Sequence, residues 1–409
     1  MRKNTCRMCK STNLYKFLDL GFSALSDGFL TEENLEKPEI FYPLNVLFCK
    51  DCGLSQLGHI VPPEYMFNKN YPYDSSTTKT GRDHFTNMGY DICKIFNLKS
   101  KSLIVDVGSN TGVLLSSFKS KKMNVLGIEP SSNVASIARK NGIKTFTDFF
   151  SKKLAKKTVQ KFGKASVLTA TNVFAHIDNL DDFMDGAKIL LDETGILVIE
   201  APYLVKLIDN LEYDTIYHEH LSYMSVKPLQ RFCRKHNMEL FNVELKEIHG
   251  GTVRYFIGKK NKYPISKNIA KFLKLEHKKK IYSKKHLDIF AKKVESHRTE
   301  LMNLLYDLKK SGKTIVGISA PAKGNTLLNY CKIGPEILDY VTEKNPLKIG
   351  KFTPGMHIPV YSDKKLSTHK SDYALVLAWN FAEEIMKNNE SYKKNKGKFI
   401  IPLPSPKII

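Results

Sequence analysis

Four titratable side chains stand together in the segment Tyr217-His218-Glu219-His220, which follows the fourth predicted strand of an α/β series, residues 195–200. Removing a proton next to a carbonyl group requires a base with a pKa near neutrality and a donor for the enolate. Histidine, glutamate and tyrosine can supply these functions at the carboxyl edge of an α/β sheet, where ligands bind. The segment is therefore a candidate catalytic site. A solvated loop is one alternative, and a metal site at His218 and His220 is another, without an obvious third ligand.

Four of the seven cysteines form two Cys-x-x-Cys pairs, Cys6/Cys9 and Cys49/Cys52. Each pair can bring two thiolates to one ion, and two pairs complete the tetrahedral four-sulfur site typical of structural zinc. A redox pair and a chance arrangement are the alternatives, but Gly53 after the second pair favours the tight turn of a zinc knuckle. We expect one structural zinc ion per chain, with no open position for a catalytic water.

A strand, a glycine turn and a helix start are predicted around Asp106, with the spacing Asp-x-Gly-x-x-x-Gly. Glycines let the backbone approach a ligand, and the helix N-terminus offers free amides. This spacing differs from the dinucleotide-binding pattern and favours S-adenosylmethionine. Glu129 ends the next strand, where a carboxylate can accept hydrogen bonds from ribose hydroxyls; an ordinary turn with a solvated Glu129 is the alternative. The expected cofactor-binding residues are Asp106, Gly108, Asn110, Gly112, Glu129 and Asn172.

A loop after the third predicted strand, residues 171–178, holds Asn172 and His176. It lies where proteins with this arrangement hold the methionine end of the cofactor. We interpret His176 as a helix-start residue without a ligand role.

The hydrophobic pattern divides the chain into three parts. Residues 1–70 form a zinc-binding lobe with too little core to fold without metal. Residues 71–260 begin with a linking segment and helix to residue 100; strands and helices then alternate and end in a hairpin at Gly250, as in class I methyltransferases. Residues 261–409 contain a Lys-rich helical segment and a second α/β series, with strands predicted at 314–319, 337–342, 373–378 and 399–403. We expect an α/β protein with a zinc-binding lobe, a Rossmann-like class I methyltransferase sheet and a second Rossmann-like domain.

The second α/β series contains a strand, a small-residue loop and a helix start around Lys323. Free amides and the lysine would suit a diphosphate. The loop is not a Walker loop, and Ser319 is not in a nucleophile elbow, because Pro321 takes the place of the second glycine. A tight loop with an exposed lysine is the alternative.

Composition limits the class of partner. The 409-residue chain has 64 Lys and Arg against 41 Asp and Glu, a formal net charge of +23, which favours anionic partners in general. The lysines are scattered rather than gathered in one stripe, which is weak support for nucleic-acid binding. No stretch approaches the roughly 18 apolar residues of a membrane span, and the first residues lack a signal-peptide pattern. We expect a cytoplasmic monomer without nucleic-acid or membrane partners.

Distinctive segments follow one another in an order that resembles a known family. They are Cys6/Cys9 with Cys49/Cys52, Tyr71-Pro-Tyr-Asp-Ser-Ser76, Asp106-Val-Gly-Ser-Asn-Thr-Gly112, Tyr217-His-Glu-His220, His249-Gly-Gly-Thr-Val-Arg254, Ala320-Pro-Ala-Lys-Gly-Asn-Thr326, and Asn345-Pro-Leu-Lys with Thr353-Pro-Gly. Over nearly its whole length the chain resembles the zinc-containing sugar C-methyltransferases, which act on nucleotide-linked deoxysugars.

The resemblance implies methyl transfer from S-adenosylmethionine to carbon 3 of a nucleotide-linked 4-keto-6-deoxy sugar. His220 matches the general base, and Glu219 and Tyr217 match residues that orient the base and stabilise the enolate. One tyrosine, Tyr71 or Tyr73, matches a further site residue. The substrate-binding residues carried over for the nucleotide diphosphate sugar are Lys323, Asn325, Thr326, His249 and Arg254. The loop flanks near Ser319 depart from the family pattern, which leaves the nucleotide base open.

Two other classes remain as alternatives. A zinc-containing nucleic-acid methyltransferase or nucleic-acid-binding protein would explain the cysteine pairs and the charge, but it gives the carboxy-terminal domain no role. A zinc-bound scaffold without catalysis gives the Tyr217 to His220 cluster no role.

Overall fold

The computed structural model describes residues 1–69, 71–248 and 250–409. Within these residues the strands form three sheets, of four, seven and six strands. His249, expected to bind substrate, lies outside the described residues. No helix in the described part of the chain is long and apolar enough to cross a membrane.

The amino-terminal part contains mostly strands. Its elements are β1 (Leu14–Ser23), α1 (Glu32–Leu35), β2 (Tyr42–Cys49), β3 (Ser55–Leu57) and α2 (Pro63–Met66). The side chains of Leu44, Val46 and Phe48 alternate along β2 and are buried, as expected of a strand with one face against a core. Successive strands β1, β2 and β3 pair antiparallel.

The middle part alternates strands and helices. Its elements are α3 (Lys79–Ile95), β4 (Leu103–Val107), α4 (Val113–Ser120), β5 (Asn124–Ile128), α5 (Ser132–Lys140), β6 (Thr145–Phe146), α6 (Lys152–Phe162), β7 (Ala165–Thr171), α7 (Leu180–Leu190), β8 (Leu191–Pro202), α8 (Leu204–Asp209), β9 (Ser222–Tyr223), α9 (Val226–Lys235), β10 (Met238–Lys246) and β11 (Thr252–Lys259). Short 3₁₀ turns cover Phe174–His176 and Tyr213–Thr215.

The seven-stranded sheet has the order β10-β11-β8-β7-β4-β5-β6. Strand β11 runs antiparallel to both of its neighbours, and the remaining pairs are parallel. This confirms the predicted class I methyltransferase sheet closed by a hairpin. All five residues of β4 are buried, as expected of a parallel strand covered on both faces.

Helix α3 covers one face of this sheet. The apolar side chains of Phe85, Met88 and Ile92 recur at helical spacing and are buried, as predicted. The hydroxyl oxygen of Thr78 caps the helix by accepting a hydrogen bond from the N–H of Gly81 (3.1 Å). The start of α3 is thereby fixed beside the segment that contains Tyr71.

The carboxy-terminal part begins with two helices. Its elements are α10 (Lys267–Lys278), α11 (Lys284–Lys310), β12 (Ile315–Ile318), α12 (Ala322–Cys331), β13 (Val341–Glu343), β14 (Val360–Ser362), α13 (Lys364–Thr368), β15 (Tyr373–Val376), a 3₁₀ turn (Trp379–Phe381), α14 (Ala382–Asn388), α15 (Glu390–Lys394), β16 (Lys398–Ile401) and β17 (Lys407–Ile408). The sheet order is β14-β13-β12-β15-β16-β17, with parallel pairing except for β17. The second Rossmann-like sheet is confirmed.

One predicted strand in this part, residues 337–342, is mostly wrong. The N–H groups of Ile337 and Leu338 both donate to the carbonyl oxygen of Gly334 in a turn, and the strand covers only Val341–Glu343. Ile337 and Leu338 are buried in this turn. A short apolar run therefore reflected burial rather than strand pairing.

The amino-terminal part contacts both of the other parts. Strand β9 adds to its sheet next to β3, with Ser222 opposite Gln56 and Tyr223 opposite Ser55. On the other side, the Glu39 carboxylate accepts hydrogen bonds from the N–H of Gly355 (3.0 Å to each oxygen). The first sheet thus connects the methyltransferase sheet to the carboxy-terminal sheet.

Candidate active site and zinc site

A cavity of about 650 Å³ lies between the two larger sheets. One wall consists of segments that follow β4, β5 and β7, and the opposite wall consists of segments that follow β12 and β15. These are carboxyl ends of parallel strands, where α/β proteins bind ligands. The segment from Tyr71 to Ser75, which precedes α3, closes a third side. The cavity is the candidate active site.

The turn after β4 and the end of β5 form an acidic, hydrogen-bonded wall. The Glu129 carboxylate accepts hydrogen bonds from the backbone N–H groups of Asn110 (3.0 Å) and Ser131 (2.8 Å). Burial raises the pKa of Glu129, and these bonds oppose the shift. The Thr169 hydroxyl donates to Asp106 (2.6 Å), whose pKa burial raises to about 7. Both carboxyl groups line the cavity.

Two further residues of this wall fit a bound cofactor. Gly108 has a φ of +65°, and a Cβ there would lie 2.2 Å from Cγ2 of Val173, so a side chain would clash. Oδ1 of Asn172 is buried without a hydrogen-bond partner in the described part of the chain. A buried polar atom of this kind fits a polar ligand. Asp106, Gly108, Glu129 and Asn172 could together hold S-adenosylmethionine.

The other two expected cofactor-binding residues have different surroundings. The Asn110 side chain lies at the cavity but donates to the carbonyl oxygen of Tyr73 (3.0 Å) and accepts from the N–H of Ser75 (3.0 Å). Gly112 caps α4 at a φ of +83°, and a Cβ there would approach Ile143 to 2.9 Å. Asn110 therefore holds the segment before α3, and Gly112 permits close packing behind the cavity.

His220 lines the cavity with a defined hydrogen bond. Its Nδ1 lies 2.7 Å from the carbonyl oxygen of Thr215. Burial lowers the pKa of His220 to about 4, so the ring is neutral at neutral pH. A carbonyl oxygen only accepts, so Nδ1 carries the proton and Nε2 keeps its lone pair. The ring of Tyr217 packs 4.0 Å from that of His220, between centroids.

Glu219 lies on the same cavity wall beside a tyrosine. The Tyr71 hydroxyl donates to Oε2 of Glu219 (3.3 Å). Burial and the negative charge of Asp27 raise the pKa of Glu219 to about 8. Tyr71 and Tyr73 both line the cavity, with ring centroids 6.4 Å apart. Of the two tyrosines that the sequence left open, Tyr71 contacts Glu219.

His176 is a site residue that sequence reasoning passed over. Its ring lies 5.1 Å from that of His220 and stacks on Phe67 at 5.7 Å. Burial and the neighbouring His220 lower its pKa, and its Nε2 is buried without a partner in the described residues. Its place at the end of β7, a few residues after Asn172, was the signal that could have identified it.

His218 faces away from the cavity. Its Nε2 lies 3.4 Å from the carbonyl oxygen of Pro43, and its ring packs edge-on against Tyr42 at 5.8 Å. His218 and His220 therefore do not converge on one ion, and the alternative of a metal site at these residues has no geometric support.

Lys323 lies on the carboxy-terminal wall of the cavity. Its Nζ donates to Oδ1 of Asn380 and lies 4.2 Å from the ring centroid of Trp379. Burial lowers the pKa of Lys323, and the charges of Asp214 and Glu212 oppose this shift. The Lys323 side chain is thus partly buried against Trp379 and Asn380, unlike the exposed lysine of the alternative interpretation.

Three other residues expected to bind substrate do not line the cavity. Asn325 donates to the carbonyl oxygen of Ser26 (2.6 Å), and the Thr326 hydroxyl lies 3.4 Å from that of Ser26. Both residues begin α12 on its side towards the amino-terminal part. Arg254 is buried, and its Nε donates to Glu200 (2.8 Å). Asn325, Thr326 and Arg254 therefore connect parts of the fold, and the prediction that they lie at the cavity is wrong.

The two cysteine pairs converge at one point. Their four Sγ atoms all lie within 4.8 Å of one another, and the Cys6–Cys52 and Cys9–Cys49 sulfurs are each 3.5 Å apart. Tetrahedral zinc with bonds of about 2.3 Å places its sulfur ligands about 3.8 Å apart. The N–H of Gly53 donates to the carbonyl oxygen of Cys49 (2.9 Å) and closes the second knuckle. The residues fit structural zinc.

Comparison with known proteins agrees with this architecture. C-methyltransferase NovU of Streptomyces niveus is 31% identical over 406 residues, which is 99% of this chain and 96% of that protein. Family models match for a zinc binding domain at residues 6–67, a methyltransferase domain at 86–243 and a C-methyltransferase C-terminal domain at 247–404.

Solved structures resemble the chain only in part. A magnesium protoporphyrin IX methyltransferase from Synechocystis with bound SAM is 12% identical, with a TM-score of 0.34 over 44% of this chain and 79% of that chain. An S-adenosylmethionine-dependent methyltransferase from Clostridium acetobutylicum is 14% identical, with a TM-score of 0.36 over 44% of this chain and 92% of that chain.

The whole-chain relative decides the family. The protein belongs to the C-methyltransferases, and it is an S-adenosylmethionine-dependent enzyme with a zinc-binding domain.

Substitution of the cysteine ligands tests the metal site. We expect one zinc per chain, and we expect the double variant Cys6→Ser with Cys49→Ser to lose the metal, because two of four thiolates are gone. Elemental analysis of purified protein measures this. Cys93→Ser, outside the cluster, is the control and should keep its zinc. Full zinc in the double variant would reject these ligands.

Gly108→Val tests the cofactor wall. The valine should abolish S-adenosylmethionine binding, because its Cβ would meet Val173 and displace the turn. Isothermal calorimetry measures the affinity. Gly312→Val is the matched control, since Gly312 has a similar φ of +68° but no atom within 4 Å of its Cβ position. Wild-type affinity in Gly108→Val would contradict the assignment.

Proposed function

We propose that the enzyme transfers a methyl group to carbon 3 of a nucleotide-linked 4-keto-6-deoxy sugar by way of an enolate. The observation that carries this proposal is the neutral, oriented His220 beside protonated donors in a cavity between two Rossmann-like sheets. The similarity to a named C-methyltransferase over the whole chain supports carbon as the methyl acceptor.

His220 is suited to remove the proton from carbon 3. Its Nδ1–H is engaged by the carbonyl oxygen of Thr215, which fixes the ring and leaves Nε2 unprotonated. The Tyr217 and His176 rings pack against it and limit its rotation. A substrate proton within reach of Nε2 would pass to that atom, and the C–H electron pair would remain on the substrate as an enolate.

Glu219 and Tyr217 can donate to the enolate oxygen, while the Tyr71 hydroxyl donates to Glu219. The pKa of Glu219, raised to about 8, keeps its carboxyl group protonated at neutral pH. Burial raises the pKa values of Tyr71 and Tyr217 well above their usual range, so both phenols keep their protons. A buried acid that stays neutral can donate a hydrogen bond where negative charge develops.

S-adenosylmethionine, when bound, supplies an electrophilic methyl group on a positively charged sulfur. On this chain, Glu129 is placed to accept hydrogen bonds from ribose hydroxyls, and Asn172 offers an unpaired amide oxygen. Both lie on the wall formed by the methyltransferase sheet. The acceptor carbon would therefore be held between that wall and His220.

The opposite wall fits the nucleotide diphosphate. The Lys323 ammonium lies at the start of α12, over Trp379, on the side of the six-stranded sheet. A partly buried ammonium beside helix-start amides favours a phosphate. The sugar would extend from there towards His220, which places the reacting carbon in the middle of the cavity.

His220→Ala tests base catalysis. With a nucleotide-linked 4-keto sugar in heavy water, the wild type should introduce deuterium at carbon 3 without methyl transfer, provided that the base exchanges its proton with solvent. The variant should exchange about 100-fold to 10,000-fold more slowly, the usual contribution of a general base. NMR or mass spectrometry measures the deuterium. S-adenosylmethionine affinity should stay near that of the wild type.

His218→Gln is the matched control for that experiment. His218 is two residues away and faces Pro43 instead of the cavity, so its exchange rate should equal that of the wild type. Equal exchange by His220→Ala and the wild type would assign the base to another residue. Loss of zinc from His220→Ala would instead support a metal site at His218 and His220.

The raised pKa of Glu219 predicts the pH dependence. If the protonated carboxyl group donates to the enolate and neutral His220 is the base, kcat/KM should be constant between about pH 4 and pH 8 and fall above pH 8 as Glu219 ionises. Glu219→Gln keeps a donor that does not titrate, so its profile should lose this alkaline limb. An unchanged alkaline limb in Glu219→Gln would contradict the role of Glu219.

A further inference from the structure

A buried ion pair lies on the cavity wall outside the residues discussed so far. Asp27 follows β1 in the amino-terminal part, and Lys348 follows β13 in the carboxy-terminal part. Their side chains are only 7% and 6% exposed, and both residues line the cavity. Burying two charged groups is costly, so a pair held at a cavity calls for an explanation beyond stability.

Lys348 holds the Asp27 carboxylate in one orientation. Its Nζ donates to Oδ1 of Asp27 (3.1 Å) and to the carbonyl oxygen of Ala320 (2.8 Å). The same Nζ lies 4.8 Å from the ring centroid of Phe29. The ammonium is therefore fixed by an acceptor from each of two parts of the chain and by an aromatic ring.

The second oxygen of Asp27 has no such partner. Within the described residues Oδ2 of Asp27 accepts no hydrogen bond. A carboxylate oxygen at a cavity wall can accept a hydrogen bond but has no proton to donate. The unoccupied acceptor therefore fits a ligand that donates, such as a hydroxyl group.

The charge of Asp27 acts on the catalytic end of the cavity. It contributes to the raised pKa values of Glu219, Tyr71, Tyr73 and Tyr217. The carboxylate thus faces the part of the cavity in which the enolate would form. A phosphate would be repelled there, whereas Lys323 provides a cation on the carboxy-terminal wall.

We propose that Asp27, held by Lys348, binds a ring hydroxyl group of the acceptor near the reacting carbon and so selects a hydroxylated substrate. This inference rests on the proposed function and extends it to a specificity-determining residue. The hydroxyl donates to Oδ2, and no covalent bond changes. An acceptor without that hydroxyl leaves Oδ2 of Asp27 without a donor and is bound less well.

The test compares acceptors that differ by one hydroxyl group. Nucleotide-linked 4-keto sugars are assayed beside their 2-deoxy and 3-deoxy counterparts, and kcat/KM is measured for each. For one of these two carbons, the kcat/KM of the wild type should be about 10-fold to 100-fold higher for the sugar with the hydroxyl group than for its deoxy counterpart. This is the usual value of a hydrogen bond to a charged group. The double variant Asp27→Ala with Lys348→Met, which leaves no unpaired buried charge, should lose this preference.

The ratio of the kcat/KM values for the two acceptors separates an effect on recognition from an effect on stability. A merely structural pair would lower kcat/KM for both sugars equally, and the preference would stay as in the wild type. Asp27→Asn, which keeps the shape and weakens the bond, should give an intermediate preference if the double variant does not fold. Glu39→Gln is the matched control, because Glu39 also joins the amino-terminal part to the carboxy-terminal part but lies outside the cavity lining.

The outcomes distinguish the inference from the proposed function. A wild type that methylates neither sugar overturns both. A wild type that methylates hydroxylated and deoxy sugars equally, or an Asp27 variant that keeps the wild-type preference, overturns only the role of Asp27. A preference lost in Glu39→Gln as well would also overturn it.

Discussion

The pairing of β9 with β3 positions the segment Tyr217–His220, to which we assign the chemistry in our proposal. Strand β9 begins two residues after His220, and the N–H of Leu57 donates to the carbonyl oxygen of Leu221 (3.0 Å) at the same junction. Cys49 and Cys52 enclose the turn between β2 and β3, so zinc at this turn fixes the strand to which β9 adds. The zinc site and the segment that contains His220 are thus joined through β3 and β9.

Desolvation then gives each group in the cavity its protonation state. Burial favours the neutral form of every ionisable side chain, so it lowers the pKa of His220 and raises those of Glu219 and Tyr71. One physical effect thus produces both an unprotonated base and protonated donors.

The sequence predicted what local periodicity and spacing determine. Both Rossmann-like sheets, the buried face of α3 and the cysteine cluster follow from repeating patterns or short motifs. Contacts between residues that are far apart in the chain have no such pattern in the sequence, so they were not predicted. Asn325 and Thr326 follow a ligand-like loop but face Ser26, some 300 residues earlier, and Arg254 meets Glu200 across neighbouring strands. Polar residues that join parts of a fold and polar residues that bind ligands look alike in sequence.

Transfer of a labelled methyl group tests the central claim most directly. The enzyme is incubated with a nucleotide-linked 4-keto-6-deoxy sugar and S-adenosylmethionine labelled with carbon-13 in its methyl group, and the product is examined by NMR. The account predicts a labelled methyl group bonded to carbon 3, which then carries no hydrogen. A labelled methyl group on oxygen, or on any carbon other than carbon 3, would contradict it.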